Sequence, residues 1–127
     1  MIRRLSAPGL PPPGAPYSQV VLDEAYAFLA GVVAADVPGG AAAIGDVRAE
    51  TGAVLSAIRD VLDRLGLGMD RVVRADVYLT DLGEAGAMNE VYRRFFPENA
   101  LPARTCVEVR RLVDGCRVEI TCVARRR

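Results

Sequence analysis

The chain has 127 residues, enough for one core, with 51% hydrophobic and 25% charged residues and a formal net charge of zero. That balance argues against a nucleic-acid partner or an anionic membrane surface. There is no His and no Lys, since all 16 basic residues are Arg, which removes histidine triads, most zinc sites and any protein-derived Schiff base.

In chain order, Met1-Ile2-Arg3-Arg4 leads into Pro and Gly with no apolar core of a secretory signal. Arg3-Arg4 and the closing Arg125-Arg126-Arg127 read as solvated tails. Residues 1–16 read as an extended N-terminal segment, because the Pro- and Gly-rich run from Ala7 to Pro16 excludes a helix. Tyr17 to Leu22 and Ala25 to Ala34 predict two strands, with Asp23-Glu24 as the turn between them. Val37-Pro38-Gly39-Gly40 predicts a loop. Asp46 is a good helix N-cap. Val47, Thr51, Val54, Leu55, Ile58, Val61, Leu62 and Leu65 then fall three or four apart until Gly66. Val72 to Thr80 alternates as a half-buried strand. Asp81 is placed to cap a second helix over about 83–96, ended by Pro97. Two strands follow, from about Thr105 and from about Arg117, with Asp114-Gly115 between them.

The predicted order is β-β-α-β-α-β-β over one domain, residues 1–127. The fold class is α+β: a single mixed β-sheet with two helices packed on one face, which buries both helical stripes. The other sheet face is left without a helix, so subunit association is expected. Cys106, Cys116 and Cys122 are few, odd in number and without a CxxC pair. This argues against a disulfide framework or structural metal and for a cytoplasmic protein with free thiols. No apolar run reaches transmembrane length.

Arg104 is the most informative residue. It stands where the proline-marked loop Leu101-Pro102-Ala103 turns into a strand, and Glu119 lies mid-strand fifteen residues later. A guanidinium fork there can clamp a planar carboxylate with two parallel hydrogen bonds. A nearby Glu can move a proton or hold a water. The same residues also read as a surface ion-pair member and a solvent-facing carboxylate. Tyr17 reads equally as a packing aromatic. Cys106, two residues from Arg104 and so on its strand face, reads as a small hydrophobe or a lining thiol.

Pro16-Tyr17-Ser18-Gln19, Gly31 after an apolar strand, Asn89-Glu90-Val91-Tyr92 with Phe95-Phe96, Pro102-Ala103-Arg104 and Val118-Glu119-Ile120 together resemble the RidA/YjgF family of enamine/imine deaminases. The match runs in order from about Pro16 to Ala124, and the spacing from Pro-Ala-Arg to Glu-Ile is its specific part. The resemblance implies a chorismate-mutase-like fold and a homotrimer with sites in the clefts between subunits. It implies hydrolysis of 2-aminoacrylate-type enamines or 2-imino acids to 2-oxo acids and ammonia, without a cofactor or metal. In that reading Arg104 grips the substrate carboxylate, and Glu119 holds the attacking water or relays a proton. Tyr17 walls the site, and Gly31, Asn89 and Cys106 line it. Two positions depart from the pattern: Ala30-Gly31-Val32 stands where the family often has Ser-Gly-Gln, and Thr105 follows the Arg where a small or apolar residue is usual. Both bear on the substrate more than on the fold. The alternative is a non-catalytic trimer that binds small carboxylic or 2-oxo acids. The family's breadth also includes holdase-like or nucleic-acid-linked roles, and the zero net charge weighs against the latter.

Overall fold

The computed structural model describes residues 1–7 and 9–127. The strands are β1 (Arg3–Leu5), β2 (Val20–Leu22), β3 (Tyr26–Leu29), β4 (Val32–Val33), β5 (Val72–Leu79), β6 (Ala103–Glu108) and β7 (Val118–Arg125). The helices are α1 (Val47–Arg64) and α2 (Ala85–Tyr92). The strands form one sheet in the order β1-β2-β3-β7-β5-β6, with β4 also paired to β7. Among the described residues only β5 and β6 pair in parallel; the other pairings are antiparallel. The fold class is therefore as expected from the sequence.

The topology explains why both helices share a face. β3 and β5 both run antiparallel to β7, so they are parallel to each other, and α1 is the crossover between them. α2 is the crossover from β5 to β6. Both crossovers step across the sheet in the same direction. Right-handed connections then place both helices on the same side. β7 returns last and fills the gap between β3 and β5.

Local chemistry sets the element ends. The Asp46 carboxylate accepts from the backbone N–H of Arg48 at 3.0 Å and of Ala49 at 3.3 Å, starting α1. The helix ends where Gly66 takes a positive φ of 76°, with Leu67 N–H donating to Leu62 C=O and Gly66 N–H to Asp63 C=O. Its stripe Val54, Leu55, Ile58, Val61 and Leu62 is buried against Ala75, Val77, Leu79, Val118, Ile120 and Cys122 of the central strands. The turn between β2 and β3 needs no Gly, because Asp23 Oδ1 accepts from Ala25 and Tyr26 N–H at 2.8 and 2.6 Å.

Four elements differ from the sequence reading. The strand expected over Tyr17 to Leu22 is only Val20–Leu22, with Tyr17 in the chain leading into it. Arg3–Leu5 is an edge strand paired to β2, though both Arg side chains remain exposed. The stretch from Ala25 to Ala34 is not one strand: it is broken at Ala30-Gly31 into β3 and β4. The second helix is shorter than 83–96. A 3₁₀ turn at Leu82–Glu84 precedes it, and bonds from Arg94 to Val91 and Phe95 to Tyr92 tighten the chain beyond it. At Pro8, the extended reading of the N-terminal run lies outside the described residues.

The face away from the helices carries Val21, Phe28 and Val123 in one cross-strand row and Glu119, Tyr78 and Val107 in another. Phe28 and Val107 are 42% and 38% exposed. No element of the chain, among the described residues, covers this half-apolar surface. Among the described residues no helix is long and apolar enough to cross a membrane.

Candidate active site

Arg104 is the second residue of β6, and its pairing with Ala75 directs it to the helix side of the sheet. There α2 receives it. Its Nη1 donates to Asn89 Oδ1 at 2.7 Å, and its Cζ lies 4.8 Å from the Tyr92 ring centroid. Among the described residues its Nε and Nη2 make no well-aligned hydrogen bond to a protein acceptor, the Tyr92 hydroxyl offering at most a weak one, so one bidentate edge of the fork is available to a ligand. The surrounding concavity, about 260 Å³, is lined by Asn89, Tyr92, Arg93, Leu101, Pro102 and Arg104. Two Arg residues and no acidic residue line it among the described residues, so it suits an anion. Tyr92 stays a neutral phenol here, because burial pushes its pKa up to about 12 against the opposing pull of Arg104.

Glu119 lies in the middle of β7, between Val33 of β4 and Tyr78 of β5. Its concavity, about 520 Å³, includes Tyr17, Gly31, Val33, Asp36 and Val113. Burial raises the Glu119 pKa above the ordinary carboxylate value, and the negative charge of Asp36 raises it further. No Arg lines this hollow among the described residues. Gly31 is needed for space: a Cβ there would fall 2.5 Å from Glu119 Oε2 and 3.1 Å from Thr121 Oγ1. The interruption of the strand at Ala30-Gly31 thus leaves room for the Glu119 carboxylate beside the backbone.

The predicted site residues therefore fall into two half-sites. Arg104 and Asn89 share one, and Tyr17, Gly31 and Glu119 share the other. Asn89 lines the first as expected, but it also orients the Arg. Cys106 shares the helix-side face with Arg104 through its pairing with Val77, and it is a half-buried free thiol packed on the core, outside both concavities. Arg104 and Glu119 leave the sheet on opposite faces. Their strand positions are offset by three residues and two strands, roughly 10 Å each way at ordinary β spacings. Within one chain they do not meet.

Sequence reasoning missed Tyr92, Asp36 and Val113. Tyr92 had a signal, because it stands three residues after Asn89 and so on the same helical face. Asp36 had none, since its place follows from a 3₁₀ turn at Ala34–Asp36 directly after β4.

The class defined by this fold is that of small sheet-and-two-helix proteins with carboxylate and guanidinium half-sites on opposite sheet faces. A family model described as Endoribonuclease L-PSP matches residues 9–126. The chain is 39% identical over 116 residues to the RutC family protein slr0709 of Synechocystis sp., covering 90% of this chain and 88% of that protein. It is 33% identical over 125 residues to a 2-iminobutanoate/2-iminopropanoate deaminase of Capra hircus, covering 98% of this chain and 90% of that one. Among solved structures it is similar to E. coli TdcF with bound serine, with a TM-score of 0.84, 26% identity and coverage of 98% and 99%. The chain belongs to the RidA/YjgF family and has its chorismate-mutase-like fold.

Proposed function

We propose that this protein hydrolyses reactive enamine or imine intermediates of the 2-aminoacrylate and 2-imino acid type to 2-oxo acids and ammonia, as a homotrimer whose sites lie between subunits. One observation carries the reading. The guanidinium half-site has an open bidentate edge and no carboxylate, and the carboxylate half-site has two acids and no cation. They lie on opposite faces of the sheet, so one copy's Arg104 can complete another copy's Glu119 hollow. Where such a contact repeats head to tail between two different surfaces it is heterologous, and it closes into a ring when the rotation between copies permits. Three is the ring size implied by the family resemblance, and the half-apolar open face is surface for that contact to bury.

The chemistry follows from the groups. Arg104 holds the substrate carboxylate in plane through Nε and Nη2. Glu119 accepts a proton from water as its oxygen adds to the imine carbon, and hands that proton to the nitrogen. A second pass moves the carbinolamine hydroxyl proton to nitrogen as the C–N bond breaks. A 2-oxo acid and ammonia result, with no electron transferred to or from the protein. The deaminase named among the relatives and the serine-bound neighbour support a small carboxylate as ligand. The test is ammonia release from 2-aminoacrylate generated in situ by a serine dehydratase. A rate above spontaneous hydrolysis is expected, and a rate equal to it overturns the reading.

A second reading is a non-catalytic binder of 2-oxo acids, favoured by the fact that Arg104 is already oriented by its own chain. It predicts pyruvate binding without accelerated ammonia release.

Two further outcomes follow. Asp36→Asn removes one of the two causes that raise the Glu119 pKa. Glu119 then ionises at lower pH, and because it acts as the carboxylate, the acid limb of the pH–rate profile is expected to move to lower pH. Gly31→Ala is expected to cost about 1 kcal/mol of stability or less, since the atom it strikes is the end of a flexible side chain. Its kcat is expected to fall about tenfold or more, because the carboxylate is pushed from its seat. Thermal melts beside steady-state kinetics check both parts.

A further inference from the structure

Both contacts that hold Arg104 come from α2. Asn89 takes Nη1 at 2.7 Å, and one turn later the Tyr92 ring lies under the guanidinium, 4.8 Å from centroid to Cζ. The two contacts divide the group between them. Asn89 engages the nitrogen that a side-on carboxylate does not need, and the ring occupies one flat side. The Nε–Nη2 edge is left without a well-aligned protein partner among the described residues.

The ring is a fixed floor. Tyr92 is 6% exposed and is wedged against Phe96, with ring centroids 4.7 Å apart. Its hydroxyl is buried and makes no well-aligned hydrogen bond among the described residues, though it is close enough to Arg104 for a weak one to pull its pKa down. The ring and the hydroxyl are therefore separate candidates for holding the guanidinium, and the variants below tell them apart. The phenol is neutral, so the ring offers its π face and leaves the guanidinium charge intact for a ligand.

We propose that Tyr92 is a positioning residue for Arg104: its ring holds the guanidinium plane so that the Nε–Nη2 edge stands ready before the substrate carboxylate arrives. This rests on the reading of Arg104 as the carboxylate anchor. The ring limits the side chain to one orientation, so less rotamer freedom is lost on binding.

The experiment uses the full chain and two readouts. The first is the ¹⁵N relaxation of the Arg104 Nε–H, which needs no ligand. The second is pyruvate affinity by calorimetry. Tyr92→Phe keeps the ring and removes a buried hydroxyl that makes no well-aligned hydrogen bond, so a rigid Nε–H, pyruvate affinity within about twofold and undiminished thermal stability are expected. Tyr92→Leu is expected to give a mobile Nε–H and about tenfold weaker pyruvate binding. Pentafluorophenylalanine at position 92 keeps the shape and reverses the ring's quadrupole. It is expected to behave like Leu, and it decides the matter if the Leu variant does not fold. A rigid Nε–H in the Leu and pentafluoro variants, or a Phe variant as impaired as Leu, overturns the proposal. If the wild type binds no pyruvate while the Nε–H series behaves as expected, the positioning role stands and the reading of Arg104 as a carboxylate anchor is what fails.

Discussion

Arg104→Lys is expected to lower kcat/KM for imine hydrolysis roughly 100-fold, the scale of loss when a reacting group is misplaced by about an ångström. The variant keeps the charge and loses three things at once. An ammonium has no planar edge to match a carboxylate, cannot donate to Asn89 Oδ1 while presenting two parallel N–H groups outward, and has no flat face to lie on Tyr92. The loss is expected to fall largely on KM and on pyruvate affinity, with thermal stability little changed because Arg104 is exposed. Steady-state kinetics with in-situ enamine, paired with calorimetry on pyruvate, checks this. Turnover near that of the wild type in the Lys variant would mean that the site needs only a point charge at this position.

The second large effect is expected from Glu119→Gln. Proton transfer by a positioned side chain contributes about 10²- to 10⁴-fold, and a drop in kcat of that order is expected. Pyruvate binding should stay within about threefold, because the carboxylate grip belongs to Arg104 on another half-site. The amide fills the same space beside Gly31, so the change tests proton chemistry and not packing. If Gln at 119 abolishes pyruvate binding as well, Glu119 is part of the binding surface, and the division of labour between the half-sites is wrong. If turnover is unchanged, water reaches the imine without it.

The two variants also separate the enzyme from the pure binder. Both readings require Arg104, and only hydrolysis requires Glu119. Mixing the inactive variants adds a third measurement that depends on assembly. An Arg104→Lys copy still carries an intact Glu119 hollow, and a Glu119→Gln copy still carries an intact fork. When the two exchange subunits, some sites regain both groups, and partial activity is expected to return. No such recovery would arise if each chain built its site alone.

Much of the architecture was legible from residue order because it rests on local rules. The Asp46 cap, the stripe from Val47 to Leu62 and the Gly66 stop are short-range signals, and the helix formed between those ends. The alternation in Val72 to Thr80 marked a strand buried on one face. The reading stumbled where tertiary pairing overrode the local pattern. Arg3–Leu5 carries no strand signal of its own and is ordered by the free edge of β2. The apolar run Ala25 to Ala34 looks continuous, yet it breaks at Gly31, where the Glu119 carboxylate comes in from β7, almost ninety residues away in the chain.

By itself, then, the amino-acid order determined which chemistries are open to this protein. With no His and no Lys, acid–base work is left to Asp, Glu, Tyr, Cys or water, and the spacing of Arg104 and Glu119 on two strand segments is the part of the sequence that resembles the family. Only the tertiary structure decided how those groups are arranged. β7 inserts between β3 and β5, and this sets Arg104 and Glu119 on opposite faces of the sheet, each in its own hollow. Strand alternation tells which neighbours share a face within one segment. It does not tell which strands become neighbours, and cross-strand register is what assigned Arg104 to the helix side, Glu119 to the open side, and Tyr92 to a place beneath the guanidinium.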